Sequence, residues 1–226
     1  MAEIFDEWPE KYDKWFETPI GRLVWEYESR LLLGMARPGQ GEKILDVGCG
    51  TGVFTADLLA AGSEVTGLEL SFPMLRCAGK KASGRPFHMV QGDMLRLPFA
   101  TDSFDKTVSV TAIEFLDEDA PSAVAEMFRV TRPGGLIVVA SLNSLSPWAV
   151  RRRAAAVQGH PIFAHARFRS PSEMKDLAPL PAYIRTAVHF QKHDDPSRAV
   201  DIERDGDARG LDTGAFLIAC WEKPAV

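Results

Sequence analysis

The chain has 226 residues, 46% of them apolar and 25% charged, a length and balance that suit one large core in a single domain over residues 1–226. A net charge of −5 argues against a dedicated nucleic-acid binder, and no apolar run approaches the roughly 18 residues of a membrane span. Three cysteines without C-x-x-C spacing indicate neither a disulfide framework nor a zinc knuckle, and the acidic, aromatic start is unlike a secretory signal, so a cytoplasmic setting is expected.

The first strong signal is Ile44-Leu45-Asp46-Val47, a short apolar strand that runs into the loop Gly48-Cys49-Gly50-Thr51-Gly52. Val53 to Ala61 then has helical spacing, so loop amides and a helix N-terminus should face one crevice. Glu64 to Glu69 reads as a second strand ending in an acid, and Ser71 caps a helix through about Ala82. Pro86 to Gln91 is a third strand, turned by Gly92-Asp93, and Phe104 to Val110 a fourth. Asp119 to Val130 carries a helical apolar face of Ala123, Val124, Met127, Phe128 and Val130, and Pro133-Gly134-Gly135 should stop it. Leu136 to Ala140 is almost uniformly apolar, which suits a strand covered on both faces.

This alternation predicts a doubly wound α/β layer. Residues 142–170 look irregular, and Ser170-Pro171-Ser172-Glu173 restarts a helix by its cap chemistry. Tyr183 to Phe190 reads as a strand, the charged stretch up to Asp212 as an exposed loop, and Ala215 to Trp221 as a closing strand. The last two strands would form an antiparallel hairpin at one sheet edge.

Charge chooses among the ligands that such a crevice could take. A dinucleotide fold wants G-x-G-x-x-G with a pyrophosphate on the helix terminus. Here the third glycine falls one position early, and Asp46 at the lip of the loop would repel a pyrophosphate while attracting a cation. S-adenosylmethionine carries an ammonium and a sulfonium and no phosphate. The segment closely resembles motif I of the class I S-adenosylmethionine-dependent methyltransferases, and residues 43–141 carry the resemblance with further motifs. It looks most like the small-molecule branch that includes the ubiquinone/menaquinone and malonyl-carrier enzymes. The resemblance implies a Rossmann-like sheet of seven strands, mostly parallel, with the seventh inserted between the fifth and sixth.

Strand-end residues can be matched to parts of that cofactor, since ligands lie across the carboxyl ends of open α/β sheets. Glu69 could accept both ribose hydroxyls, and Asp93 the adenine amino hydrogen, with the Met94 N–H donating to a ring nitrogen and Leu70 and Met74 as apolar walls. Thr111 and Ala112 would line the methionine arm and Phe115 the sulfonium side. The family's Tyr-Asp pair is matched by Tyr12-Asp13, which implies that residues 1–40 form a helical lid. Tyr12 would then bond the methionine carboxylate, Trp15 or Phe16 would close the pocket, and Arg22 would be a second partner for the carboxylate.

Glu114 and His165 are the catalytic candidates, with His160 beside them, in case the nucleophile carries a proton that must leave. The segment 142–182 would form the substrate lid. Arg151-Arg152-Arg153 is either a solvated face or a contact for an anionic substrate. No metal cluster is indicated. The expected activity is methyl transfer to a small molecule through oxygen, carbon or nitrogen. A non-catalytic cofactor-binding module and a nicotinamide oxidoreductase are the alternatives, and the oligomeric state stays open.

Overall fold

The computed structural model describes residues 2–225. Three helices open the chain: α1 (Ala2–Asp6), α2 (Pro9–Glu17) and α3 (Pro19–Ala36). The alternating part follows as β1 (Lys43–Val47), α4 (Val53–Ala60), β2 (Glu64–Glu69), α5 (Phe72–Lys81), β3 (Phe87–Gln91), β4 (Phe104–Val110), α6 (Ala120–Val130) and β5 (Thr131–Leu142). The remainder is α7 (Pro147–Val157), α8 (Pro171–Lys175), β6 (Tyr183–Ala187), α9 (Pro196–Ala208) and β7 (Phe216–Glu222). The seven strands lie in the order β3-β2-β1-β4-β5-β7-β6, parallel except for β7, which runs antiparallel to both neighbours. The expected insertion of the last strand between the fifth and sixth is what the sheet shows.

Side-chain alternation divides the core into two layers. Ile44, Val65, Val108, Val138 and Ile218 face α3 and α4, whereas Leu45, Leu68, Ile137, Val139 and Leu217 face α6 and α8. That two-sided burial explains why Leu136 to Ala140 lacks polar alternation. The same alternation turns Asp46 toward α4. Its carboxylate therefore meets the helix that follows the glycine loop, where the Thr55 hydroxyl donates to Oδ2 at 2.6 Å.

Some details differ from the sequence reading. Helix α6 ends at Val130 as expected, but what stops it is Thr131, already extended with its hydroxyl donating to the Met127 carbonyl at 2.7 Å, rather than the Pro133-Gly134-Gly135 run. The Arg132-Pro133-Gly134-Gly135 turn lies inside β5 as a register irregularity against β4. Gly135 is required there, since a Cβ would stand 2.4 Å from the Asp105 carbonyl. β6 stops at Ala187, three residues short of the expected end. Val188 adopts φ 65, and the Val188 and His189 amides turn away to the buried Glu203 carboxylate at 2.9 and 2.6 Å.

Two helices replace expected irregular segments. α7 occupies part of 142–170, with Ser146 as its cap (3.2 Å from the Ala149 amide) and Pro147 in its first turn. α9 occupies the charged stretch before Asp212, capped by Asp195 with Pro196 following. Its buried positions are Ala199, Glu203 and Gly206, joined by the partly buried Ile202, too little apolar surface to give a helical signature.

Candidate functional site

A cavity of about 590 Å³ opens at the carboxyl ends of β1, β2 and β4, a size in the range of small-molecule sites. Its floor is the glycine loop. Gly48 has φ 74, and a Cβ there would sit 2.6 Å from the Ala112 Cβ and 3.0 Å from the Met94 methyl carbon. Only glycine lets the loop approach the turn after β4 so closely. Gly48 and Cys49 both donate to the Leu68 carbonyl, at 2.7 and 3.1 Å, which binds the loop to β2. Gly50 donates to Glu69 Oε2 at 2.9 Å.

The acids are arranged around that loop. Glu69 takes the Gly50 amide on one oxygen and the Ser71 amide (2.9 Å) on the other, leaving a further lone pair on each oxygen toward the cavity. Asp46 is a correction to the sequence reading: it is not at the lip but within β1, 2% exposed, on the cavity's inner wall. Burial raises its pKa to about 7, with the Thr55 hydroxyl opposing and Glu69 adding to the rise. Its charge is therefore not a standing rim charge but one that a bound cation would draw out. Asp93 lines the cavity while its Oδ1 accepts from the Leu95 amide at 2.9 Å, holding the turn after β3.

Leu70, Met74, Met94, Thr111, Ala112 and Phe115 line the same space. Thr111 is held at φ 48, a conformation that β-branched residues avoid, by the bond from its amide to the Ala140 carbonyl at 3.0 Å. The strain places the turn over Gly48.

Helices α1 and α2 cover the opening with Phe5, Trp8, Lys11, Tyr12, Trp15 and Phe16. α3 instead packs into the sheet's core, through Val24, Leu32, Met35 and Ala36. A latch ties α2 to the glycine loop: Asp13 Oδ1 accepts from the Thr51 hydroxyl (2.7 Å) and from Lys81 Nζ (2.6 Å). A second joins α1 to α5, where the Ser71 hydroxyl donates to Asp6 at 2.6 Å. Burial, and next the charge of Glu28, push the Tyr12 pKa up, so its hydroxyl keeps its proton and stays a donor.

Four expected residues fall outside the cavity lining. Gly52 packs against α5, where a Cβ would lie 2.9 Å from Ala78 Cα, so its role is to let two helices meet. Glu114 is 1% exposed beneath the turn after β4, and its Oε1 accepts the Leu142 amide at 2.6 Å. It ties that turn to β5; burial raises its pKa. His165 is exposed, and Arg22 is exposed on α3. His160 does line the cavity, 5.8 Å from the Trp8 ring.

Glu28 from α3, Phe54 from α4 and Lys192 beyond β6 line the cavity without any signal in the motifs, and Trp148, Arg151 and Arg152 from α7 bring part of the arginine run into it. Glu28 is 5% exposed, and burial raises its pKa to about 8, with Arg152 opposing.

Residues 45–139 match the family model of a methyltransferase domain. The malonyl-[acyl-carrier protein] O-methyltransferase of Serratia marcescens is 38% identical over 111 residues, covering 49% of this chain and 42% of that protein. The demethylmenaquinone methyltransferase of Renibacterium salmoninarum is 30% identical over 182 residues, covering 79% of this chain and 74% of its own. The chain belongs to the class I S-adenosylmethionine-dependent methyltransferases. It spans well under two thirds of the first relatives it matches, between 42% and 60% of their lengths. In fold it superposes on an S-adenosylmethionine-dependent methyltransferase from Thermotoga maritima with a TM-score of 0.76 at 23% identity, covering 99% of this chain and 100% of that one.

The residues of this methyltransferase cavity fit the family's cofactor. A carboxyl poised near neutrality faces the space a cationic group would enter, Glu69 presents paired free acceptors for a diol, and the Gly48, Cys49, Gly50 and Gly52 amides are committed to protein partners rather than to a diphosphate.

Proposed function

We propose that the protein transfers the S-adenosylmethionine methyl group to a small molecule in the cytoplasm, with the acceptor bound beneath α1, α2 and α7. What supports this reading most is the single cavity that joins the acid-lined glycine loop to an aromatic chamber of Trp15, Phe16, Phe54, Trp148 and Phe163. In it, Asp46 and Glu69 hold the cationic and ribose ends, and Asp93 with Met94 the adenine. Tyr12 donates to the methionine carboxylate, and Thr111, Ala112 and Phe115 shape the space beside the sulfur. The cofactor supplies an electrophilic methyl on a good leaving group; this chain's residues supply alignment and exclusion of water, which favourable cases value at roughly 7–11 kcal/mol. The three free thiols, Cys49, Cys77 and Cys220, support a reducing compartment.

Methyl-labelled cofactor incubated with a metabolite extract tests catalysis. Label should enter the small-molecule fraction with the native chain and not with Gly48→Val, whose side chain would collide with Ala112. Cofactor binding without any labelled product would support the non-catalytic binding module instead.

The latch gives a further expectation. Asp13→Ala removes two acceptor contacts, so α2 should loosen and the cofactor dissociation constant should rise about tenfold, near 1.4 kcal/mol. Stopped-flow measurement should find the change in the dissociation rate; a change confined to the association rate would mean that α2 does not cover the cofactor.

A further inference from the structure

Arg151, Arg152 and Arg153 are consecutive on α7, so helical geometry sends their side chains in directions about 100° apart. Arg153 is exposed and outside the cavity lining, Arg151 is exposed but contributes to that lining, and Arg152 is half-buried and turned inward to the cavity. Its guanidinium lies 5.3 Å from the Trp148 ring, and its Nη1 is buried without a hydrogen-bond partner among the described residues. An unmet buried donor on a cation is costly, and a structure retains one where a ligand completes it. Glu28 and Glu114 are the acids whose fields reach Arg152, yet neither forms an ion pair with it among the described residues.

The walls around this nitrogen are flat and apolar. Trp15 stands edge-on to Trp148 at 6.3 Å, and Lys192 lies 5.3 Å from the Trp15 ring, which adds a second cation to the same chamber. Acids enter the cavity from the ends of β1, β2 and β3 and, as Glu28, from α3, while cations enter from α2, α7 and the segment after β6. The chamber thus has the two features that recognise a planar acid: aromatic faces for the body and a guanidinium fork for the oxygen.

We propose that the methyl acceptor is a flat apolar compound bearing an anionic oxygen, and that Arg152 is the residue that binds this oxygen. The proposal rests on the methyltransferase reading above and names the acceptor class for its site. Arg152 then sets specificity: a neutral analogue of the same shape leaves Nη1 unpaired and binds less well.

Tryptophan fluorescence reports occupancy, since Trp8, Trp15 and Trp148 line the chamber. The full chain, saturated with S-adenosylhomocysteine, is titrated with 2-naphthoate and with neutral 2-naphthamide. The native protein should prefer the naphthoate by about tenfold or more, the worth of one charge-assisted hydrogen bond. Arg152→Met should abolish that preference while still binding the naphthamide, Arg152→Lys should restore part of it, and Arg153→Met, at an exposed residue outside the cavity lining, should leave it in place. Affinity for S-adenosylhomocysteine, measured by calorimetry, should change less than about threefold in Arg152→Met.

No preference in the native chain, or no quenching by either compound, overturns the proposal. So does a tenfold loss of S-adenosylhomocysteine affinity in Arg152→Met, which would assign the guanidinium to the cofactor's own carboxylate. Failure of the native chain to bind S-adenosylhomocysteine at all would instead remove the methyltransferase reading beneath it.

Discussion

Asp46→Asn should weaken S-adenosylmethionine binding about tenfold to a hundredfold, the range expected for losing a charged acceptor worth about 1.5–3 kcal/mol. Asparagine keeps the shape and can still accept from the Thr55 hydroxyl, so the fold should persist. The pH dependence makes the test sharper. Burial lifts the Asp46 pKa from 3.8 to about 7, so the native, cofactor-free chain holds a proton that the unfolded chain releases at lower pH. A carboxyl raised in this direction costs stability as pH climbs between those two values, because the unfolded state then binds fewer protons than the native one. Affinity for a cationic ligand moves the other way and rises over the same window as the carboxylate forms. Calorimetry at about pH 6 in two buffers of different ionisation enthalpy should therefore show proton release on binding. The release should shrink in Asp46→Asn. Equal affinity and equal proton release in both proteins would show that Asp46 does not face the cation.

Glu69→Ala should cost a similar factor, about tenfold to a hundredfold, for two reasons that act together. The ribose loses its acceptors, and the Gly50 and Ser71 amides lose the carboxylate that holds the loop against α5. Comparing adenosine with 3′-deoxyadenosine as competitors separates the two. The native chain should favour adenosine, and Glu69→Ala should bind both equally if the diol contact is what has gone. A preference that survives the substitution would mean that another residue holds the ribose and that Glu69 only braces the loop.

The parts of this molecule that were legible in its sequence are those where neighbours in sequence are neighbours in space. The unit β1–loop–α4 is one such part, because glycine spacing, the acid and helical periodicity all sit within about twenty residues. β5 and β7 were legible as buried strands for the same reason, though their pairing came from the family resemblance. α7 and α9 were missed although each begins with a cap followed by proline, Ser146-Pro147 and Asp195-Pro196, the same chemistry that made α8 readable. Composition outweighed those caps: three arginines and a run of acids hid the helical period.

The cavity's other residues needed the tertiary fold. Nothing local says that Arg152 is the arginine whose side chain is most buried, since that depends on how α7 docks against Trp15 and Phe190, whose carbonyl accepts from Trp148 Nε1 at 2.6 Å. Glu28 lies on a helix whose apolar positions otherwise pack on the sheet, so it reads as an ordinary surface acid until α2 and α7 close over it. Glu114 shows the converse. Its place after β4 suggested chemistry, yet the turn rotates its carboxyl under the sheet edge to meet the Leu142 amide.

Direct calorimetric titration of the native chain with S-adenosylmethionine and, separately, with NAD near neutral pH is the most direct test of what the crevice around Asp46, Gly48 and Glu69 selects. Binding of S-adenosylmethionine with no detectable heat from NAD is the predicted result. Saturable binding of NAD, with S-adenosylmethionine giving none, would contradict it.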